Sequence, residues 1–466
     1  MKKTIIYSLF SILLLSACVD NPNVTENTYL NTPHAVSSWV NGLKRQMAKT
    51  SNTVNVNVAI TSDNYFNNYS QYSKVFDILQ LNYFDPDVNA LQADVQALRE
   101  MAIFGIEKVH PSDQAATEQD LAFMYLCLGY ANILGGELFT GLPETTLGNV
   151  ITPKENLENA LEALDYAIDY ETDTELIAAY HLLKARTHYH LGNQEKAITE
   201  ATKALNSPSL LYQIQFDGTS QLANEMQNAT YDALPNRLAP LPRLDFLDPK
   251  YYSVGTPTTD QKPVTLVKAE EAYLILAEAA LAQNNILTAK ENLTALLNLV
   301  EQRPVAMVDD SGETRNGGNR TDYPLTAVKV KFDNASTFKS NLVLNRQEGN
   351  IEVKTISGTH VKITDIENLT STDDLLYYVY LLRQEIFISE GRRLTDLGIK
   401  YPISQVEQDN NPNVADEYTI AQIPAFVADK ALDDFSTDEN GNISISVDMN
   451  KIIVENKTDN TIVPFF

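Results

Sequence analysis

Residues 178–208, AAYHLLKARTHYHLGNQEKAITEATKALNSP, constrain the fold of this chain most. Two apolar-periodic segments flank Leu191-Gly192-Asn193, small residues fall at Ala185, Ala197 and Ala204, and Pro208 ends the unit. Small side chains let two helices cross closely, and glycine permits the tight turn between them. Ala197, Ile198, Ala201, Ala204 and Leu205 make the apolar stripe of the second helix. Residues 268–300 repeat the pattern: Ala277 and Ala289 keep the twelve-residue spacing of Ala185 and Ala197, and Asn284 replaces the turn glycine. Asparagine tolerates the left-handed backbone conformation that such a turn requires. A third unit begins at 119–136 and resumes at 155–170, with GELFTGLPETTLGNVITP inserted on one face.

These units resemble tetratricopeptide repeats. The expected fold is mainly α, a tetratricopeptide-like helix-pair scaffold with irregular and short β excursions. Helical patterning starts at Thr32-Pro33, with Val36, Trp39, Val40 and Leu43 on one face. Repeats then cover about 33–208 and 264–300 of a single domain spanning 32–466. Residues 211–262 are rich in proline and aromatics, and 303–370 in Gly, Asn, Asp and Thr. Long irregular segments within a compact domain are usually functional, so both are expected on the ligand side. Asn440-Gly441 predicts a strand-turn-strand at 435–447, with a two-residue turn.

The N-terminus has the plan of a secretory signal: Lys2 and Lys3, then an apolar run from Ile5 to Leu15 that is too short to span a bilayer. It ends in Leu15-Ser16-Ala17-Cys18, which resembles the lipobox of bacterial lipoproteins. That resemblance implies cleavage after residue 17, acylation of Cys18 and lipid anchoring at the cell outer membrane. Residues 18–31 then read as a flexible tether. Only Cys127 remains, so disulfides are not part of the fold. No second apolar stretch is long enough to span a membrane. The net charge of −26 disfavours nucleic acid and other polyanions, and it makes the lipid, not a basic face, the means of membrane attachment.

Three later blocks add a family resemblance. ALPNRLAPLPRLDFLDPKYY (233–252) contains Pro242-Arg243-Leu244. VKAEEAYLILAEAALAQ (267–283) contains Tyr273-Leu274 and Ala277-Glu278-Ala279. LLYYVYLLRQEIFISEGRRLTDLG (375–398) contains Glu390-Gly391-Arg392 and Asp396-Leu397. In this order they resemble the SusD/RagB family of outer-membrane nutrient-binding lipoproteins. Leu241 stands where the family usually has Asp, Ile386 where it has Glu, with Glu385 one place off, and the C-terminal IVPFF lacks the family's common finish, as in a divergent member. The resemblance implies a surface protein that captures a nutrient, glycan or peptide, and passes it to a TonB-dependent (SusC-like) transporter. A periplasm-facing tetratricopeptide scaffold in outer-membrane assembly is the alternative. By spacing alone, the third block is a closing helix over about 373–397. Leu375, Val379, Leu382 and Ile386 share one face, and Glu390–Arg393 and Arg392–Asp396 can pair in a structural ion network.

No constellation for catalysis is visible, so no enzyme activity and no cofactor are expected. His188 and His190 point in different directions on a helix, and none of the common nucleophile, metal or phosphate motifs occurs. Asp438–Asn442 lacks the spacing of a calcium loop and reads as a turn. The ligand candidates lie in TSDNYFNNYSQYSKVFD (61–77): Asp63, Asn64, Tyr65, Phe66, Asn67, Asn68 and Tyr69, where rings could stack on sugar faces and amides bond hydroxyls. Tyr65, Tyr69, Tyr72 and Phe76 also fit a helical core stripe. Tyr231, Tyr251 and Tyr252 are further ligand candidates, and Trp39 belongs to the core.

Overall fold

A computed structural model of the chain describes residues 29–30, 32–68, 71–220, 222–232, 237–252, 256, 258–311, 313, 322–345 and 348–466. The signal segment, Cys18 and most of the tether lie outside these residues. Tyr29 and Leu30, placed in the tether by sequence, pack on the body: the Tyr29 hydroxyl donates to the Ala35 carbonyl at 2.9 Å, and its ring meets Trp39 at 5.9 Å.

The α-helices of seven or more residues are α1 (Ala35–Thr61), α2 (Pro86–Phe104), α3 (Glu118–Leu138), α4 (Pro153–Tyr170), α5 (Thr174–His190), α6 (Gln194–Ala204), α7 (Glu270–Ala282), α8 (Ile286–Gln302), α9 (Thr372–Ile386) and α10 (Met449–Glu455). The three expected pairs form: α3 with α4, α5 with α6, and α7 with α8. Ala185, Ala197, Ala277 and Ala289 are fully buried where the helices cross. Both turn residues take the left-handed conformation, Gly192 at φ 70° and Asn284 at φ 56°. Helix starts are capped as their sequences dictate. Thr117 with Asp120 and Thr152 with Glu155 form reciprocal capping boxes, and Pro153 occupies the first turn of α4. The insertion between α3 and α4 folds as a small hairpin, Leu142–Pro143 against Val150–Ile151.

Helix α3 corrects one expectation. It is long and apolar enough to cross a membrane by length and composition, but 83% of its most apolar stretch is buried in the fold, where it serves as the core helix of its pair. In α1, Asn52, Asn55 and Asn57 are buried among valines. Asn52 holds the 211–262 excursion, donating to the Ala223 carbonyl at 2.8 Å and accepting from the Glu225 amide at 3.0 Å.

The excursions are pinned by short antiparallel pairs: Tyr65–Asn67 with Leu238–Pro240, Leu211–Ile214 with Val264–Lys268, and Val305–Asp309 with Asn350–Lys354. Phe435–Thr437 pairs with Ile443–Ile445 as expected, but through the five residues 438–442. Asp438 accepts from the Asn440 and Asn442 amides there, which makes the segment a self-bonded turn. The closing helix is shorter than its spacing suggested. α9 ends at Ile386, and left-handed Ser389 (φ 62°) and Gly391 (φ 66°) break the chain before a short turn at Arg393–Asp396.

Candidate functional site

The three sequence blocks converge on one buried network. Arg393 donates twice to Asp63, at 2.6 and 2.9 Å, and Gln384 donates to the same carboxylate at 2.9 Å. Burial alone would raise the Asp63 pKa, but Arg393 and then Arg243 hold it below the usual carboxylate range. Glu390 does not pair with Arg393. It takes Lys268 at 2.8 Å and also Lys250. Arg392 does not reach Asp396 but bonds Glu271 at 2.7 Å, and Glu271 also binds Arg186. Asp396 instead receives Arg383 at 2.8 Å, with Arg393 at 3.7 Å. The break after Ile386 explains this re-pairing, because it turns Glu390 and Arg392 toward α7 and the Val264–Lys268 strand. The network is structural. Its members are buried and face one another, and burial brings the Lys250 ammonium down to about 8 despite Glu390. Glu385, one place from the family's position, bonds His360 at 2.5 Å and Thr359 at 2.6 Å.

The predicted ligand loop belongs to this interior. Asp63, Asn64, Tyr65, Phe66, Asn67 and Asn68 are at most 4% exposed, and Tyr69 lies outside the described residues. Asn64 accepts from Gln384 at 2.9 Å, the Tyr65 hydroxyl meets that of Ser389 at 2.8 Å, and Phe66 packs on Tyr323. An open surface at Asp63–Asn68 is therefore corrected to a core strand. Pairing with Leu238–Pro240 covers its edge, and the 375–398 block covers its polar groups. The core-stripe reading holds for Tyr65 and Phe76, both buried, although a strand and a 3₁₀ turn at Lys74–Ile78 replace the helix. Trp39 packs on Phe104 and donates to the Met101 carbonyl at 2.9 Å.

Of the other tyrosines, Tyr251 is core, its hydroxyl donating to the Ser389 carbonyl at 3.1 Å. Tyr231 and Tyr252 meet edge to face with centroids 4.1 Å apart, and Tyr252 donates to the Asp309 carbonyl. Beside them, half-buried Asp232 is raised to about 6 by burial, with Asp260 adding to the shift, and accepts from Gln227 at 3.1 Å. Tyr72 stands near Arg237, Glu225 and Asp87. Burial raises its hydroxyl, Arg237 opposes this, and the two acids reinforce it. This edge, where residues 71–73 meet the 211–262 excursion, combines rings with donors and acceptors of both charges. Sequence reading missed Asp232, Arg237 and Glu225, because only the adjacency of Tyr231 and Asp232 marks them locally.

A cleft of about 520 Å³ lies elsewhere, between α3, α5 and the C-terminal residues 460–464. Lys400, lowered to about 8 by burial, donates to the Gly136 and Glu137 carbonyls at the end of α3, and the Glu137 carboxylate lies 3.0 Å from His190. Among the described residues no cluster of three or more potential metal ligands occurs.

No family model and no curated protein matches the chain. Solved structures do. A SusD superfamily protein of Bacteroides thetaiotaomicron is 12% identical, with 82% of this chain and 98% of that chain covered and a TM-score of 0.53. A SusD/RagB family protein of the same organism is 13% identical, with 82% and 95% covered and a TM-score of 0.51. A candidate sugar-binding protein of Bacteroides vulgatus is 12% identical, with 84% and 98% covered and a TM-score of 0.51. The sequences have diverged, but the matches cover more than four-fifths of this chain and nearly all of each of the others, and the protein therefore has the SusD-like fold.

Proposed function

We propose that this protein is a lipid-anchored outer-membrane binder of the SusD/RagB type that captures a glycan at the cell surface and hands it to a TonB-dependent, SusC-like transporter. The observation that carries this reading is the SusD fold across four-fifths of the chain, shared with a candidate sugar-binding protein. The lipobox at Cys18 supports the anchor. The helix pairs supply the body and the excursions the ligand side. No bond is made or broken in this role: the protein concentrates its ligand over the barrel and releases it.

The test is a pull-down of the tagged, lipidated protein from detergent-solubilised outer membranes, with identification by mass. A large TonB-dependent barrel as the dominant partner is expected. Assembly-machinery components without such a barrel would replace the reading with a periplasmic scaffold. Protease shaving of intact cells gives a second readout, and loss of the protein is expected.

A further inference from the structure

The insertion that separates α3 from α4 builds something a bare helix pair lacks. Its hairpin forms one wall of a cleft of about 350 Å³, with Glu144, Thr145 and Ile151 on the wall and α2, α3 and α4 on the other sides. Tyr125, Leu128 and Asn132 share one face of α3, and Asn159, Glu162 and Tyr166 share one face of α4. Helical spacing brings each set to the cleft. The cleft is separate from the Tyr72, Tyr231 and Tyr252 edge.

Two observations point to a ligand. Asn132 is only 5% exposed and lines the cleft, yet its side chain makes no hydrogen bond among the described residues. That leaves the amide's bonding capacity open to a partner that enters the cleft. Tyr166, 42% exposed, is the second. It stacks on Tyr125 with centroids 5.0 Å apart, and Tyr125 stacks on Tyr170 at 6.0 Å. This row fixes a flat ring before any ligand arrives, which lowers the ordering cost of binding.

The charges select the class. Arg99 is committed to Gln96 and the Pro143 carbonyl, while exposed Glu144 and Glu162 stand at the rim. The exposed carboxylates repel an entering anion, while Arg99, the cation of the lining, is only 4% exposed. Apolar floor residues Leu128, Ile103 and Ala163 suit the C–H face of a sugar, and the two asparagines suit hydroxyls. We infer that this cleft is a subsite for a neutral sugar ring, stacked on Tyr166 and hydrogen-bonded to Asn132 and Asn159. The inference rests on the glycan-binding reading above.

The test is calorimetric titration of the full lipidated protein, in a detergent without a sugar headgroup, with neutral gluco-, manno- and xylo-oligosaccharides. An oligosaccharide that binds the native protein is expected to bind Tyr166→Ala and Asn132→Ala at least tenfold more weakly, and Tyr166→Phe, which keeps the ring, nearly as well. Both alanine positions tolerate truncation, since one side chain is exposed and the other unbonded, and unchanged melting confirms this. Equal affinity in all variants would overturn the subsite and leave the glycan reading intact. If no oligosaccharide binds but a TonB-dependent barrel still co-purifies, the sugar class falls and the uptake role stands. If neither binds, both fall.

Discussion

Asp63→Asn tests whether the network joining the three sequence blocks holds the body together. The carboxylate is 1% exposed and takes two hydrogen bonds from Arg393 and one from Gln384, with Arg243 at 3.6 Å. Asparagine keeps the volume but leaves two buried guanidinium groups short of a counter-charge. Breaking a buried pair this way costs about 3–5 kcal/mol. Arg393 retains Asp396 at 3.7 Å and Arg243 retains Asp448 at 3.7 Å, which places the loss toward the lower end. At about 2.1 cal/mol/K per residue, a body of about 435 residues has an unfolding entropy near 0.9 kcal/mol/K, so the melting midpoint should fall by about 3–6 °C. The pH dependence supplies a second check. A carboxyl whose folded pKa is lowered contributes stability that is present above its unfolded pKa, about 3.9, and is lost as pH falls through the folded value. The gap between native and variant should therefore be flat from pH 5 to 8 and close below about pH 4. Replacing both partners, Asp63→Leu with Arg393→Met, should recover much of the loss, because no charge is stranded. Thermal melts by circular dichroism measure all three. A variant within about 1 kcal/mol of native at pH 7, or a gap that widens in acid, would refute the assignment of Asp63 as an ionised anchor.

Other outcomes follow from single positions. Glu278, bonded by Tyr189 at 2.8 Å, is raised to about 7 by burial, so it contributes stability below its unfolded pKa that is lost as pH climbs to 7. Glu278→Gln should gain on the order of 3 kcal/mol relative to native between pH 4 and 8, and parallel melting curves across that range would contradict this. Gly136→Ala would set a Cβ 2.5 Å from Leu157 Cγ and 2.7 Å from the Pro153 carbonyl. The α3–α4 crossing should then lose about 1–3 kcal/mol, read as a lower midpoint, and an unchanged midpoint would mean the helices do not meet this closely. Cys127 is fully buried and its thiol is pushed far above the usual range by burial. A thiol reagent should find no reactive group in the native protein with Cys18 acylated, and one equivalent after denaturation. Two equivalents would show that Cys18 is not acylated.

What the sequence made legible depends on how far apart the cooperating residues lie. The helix pairs were legible because their signals are local: a small residue at the crossing and a turn residue able to adopt positive φ, within about 30 residues. Even the Asn284 substitution could be read, since its φ of 56° is one that asparagine accepts. The role of Asp63–Asn68 was not legible. Its residues read either as a ligand surface or as a helical core stripe, and Arg393, Gln384 and Ser389, which satisfy Asp63, Asn64 and Tyr65, stand more than 300 positions away. The closing block failed the other way. Its charges lie at helical spacing, yet Ser389 and Gly391 break the helix and send each charge to a distant partner. The Tyr166 cleft combines both cases. Each tyrosine and asparagine sits at a readable helical interval, but nothing in either helix says which faces oppose. Only when the α3–α4 crossing stacks Tyr125 on Tyr166, and the inserted hairpin closes the open side, do separate stripes become one recess in which an unbonded amide faces a fixed ring.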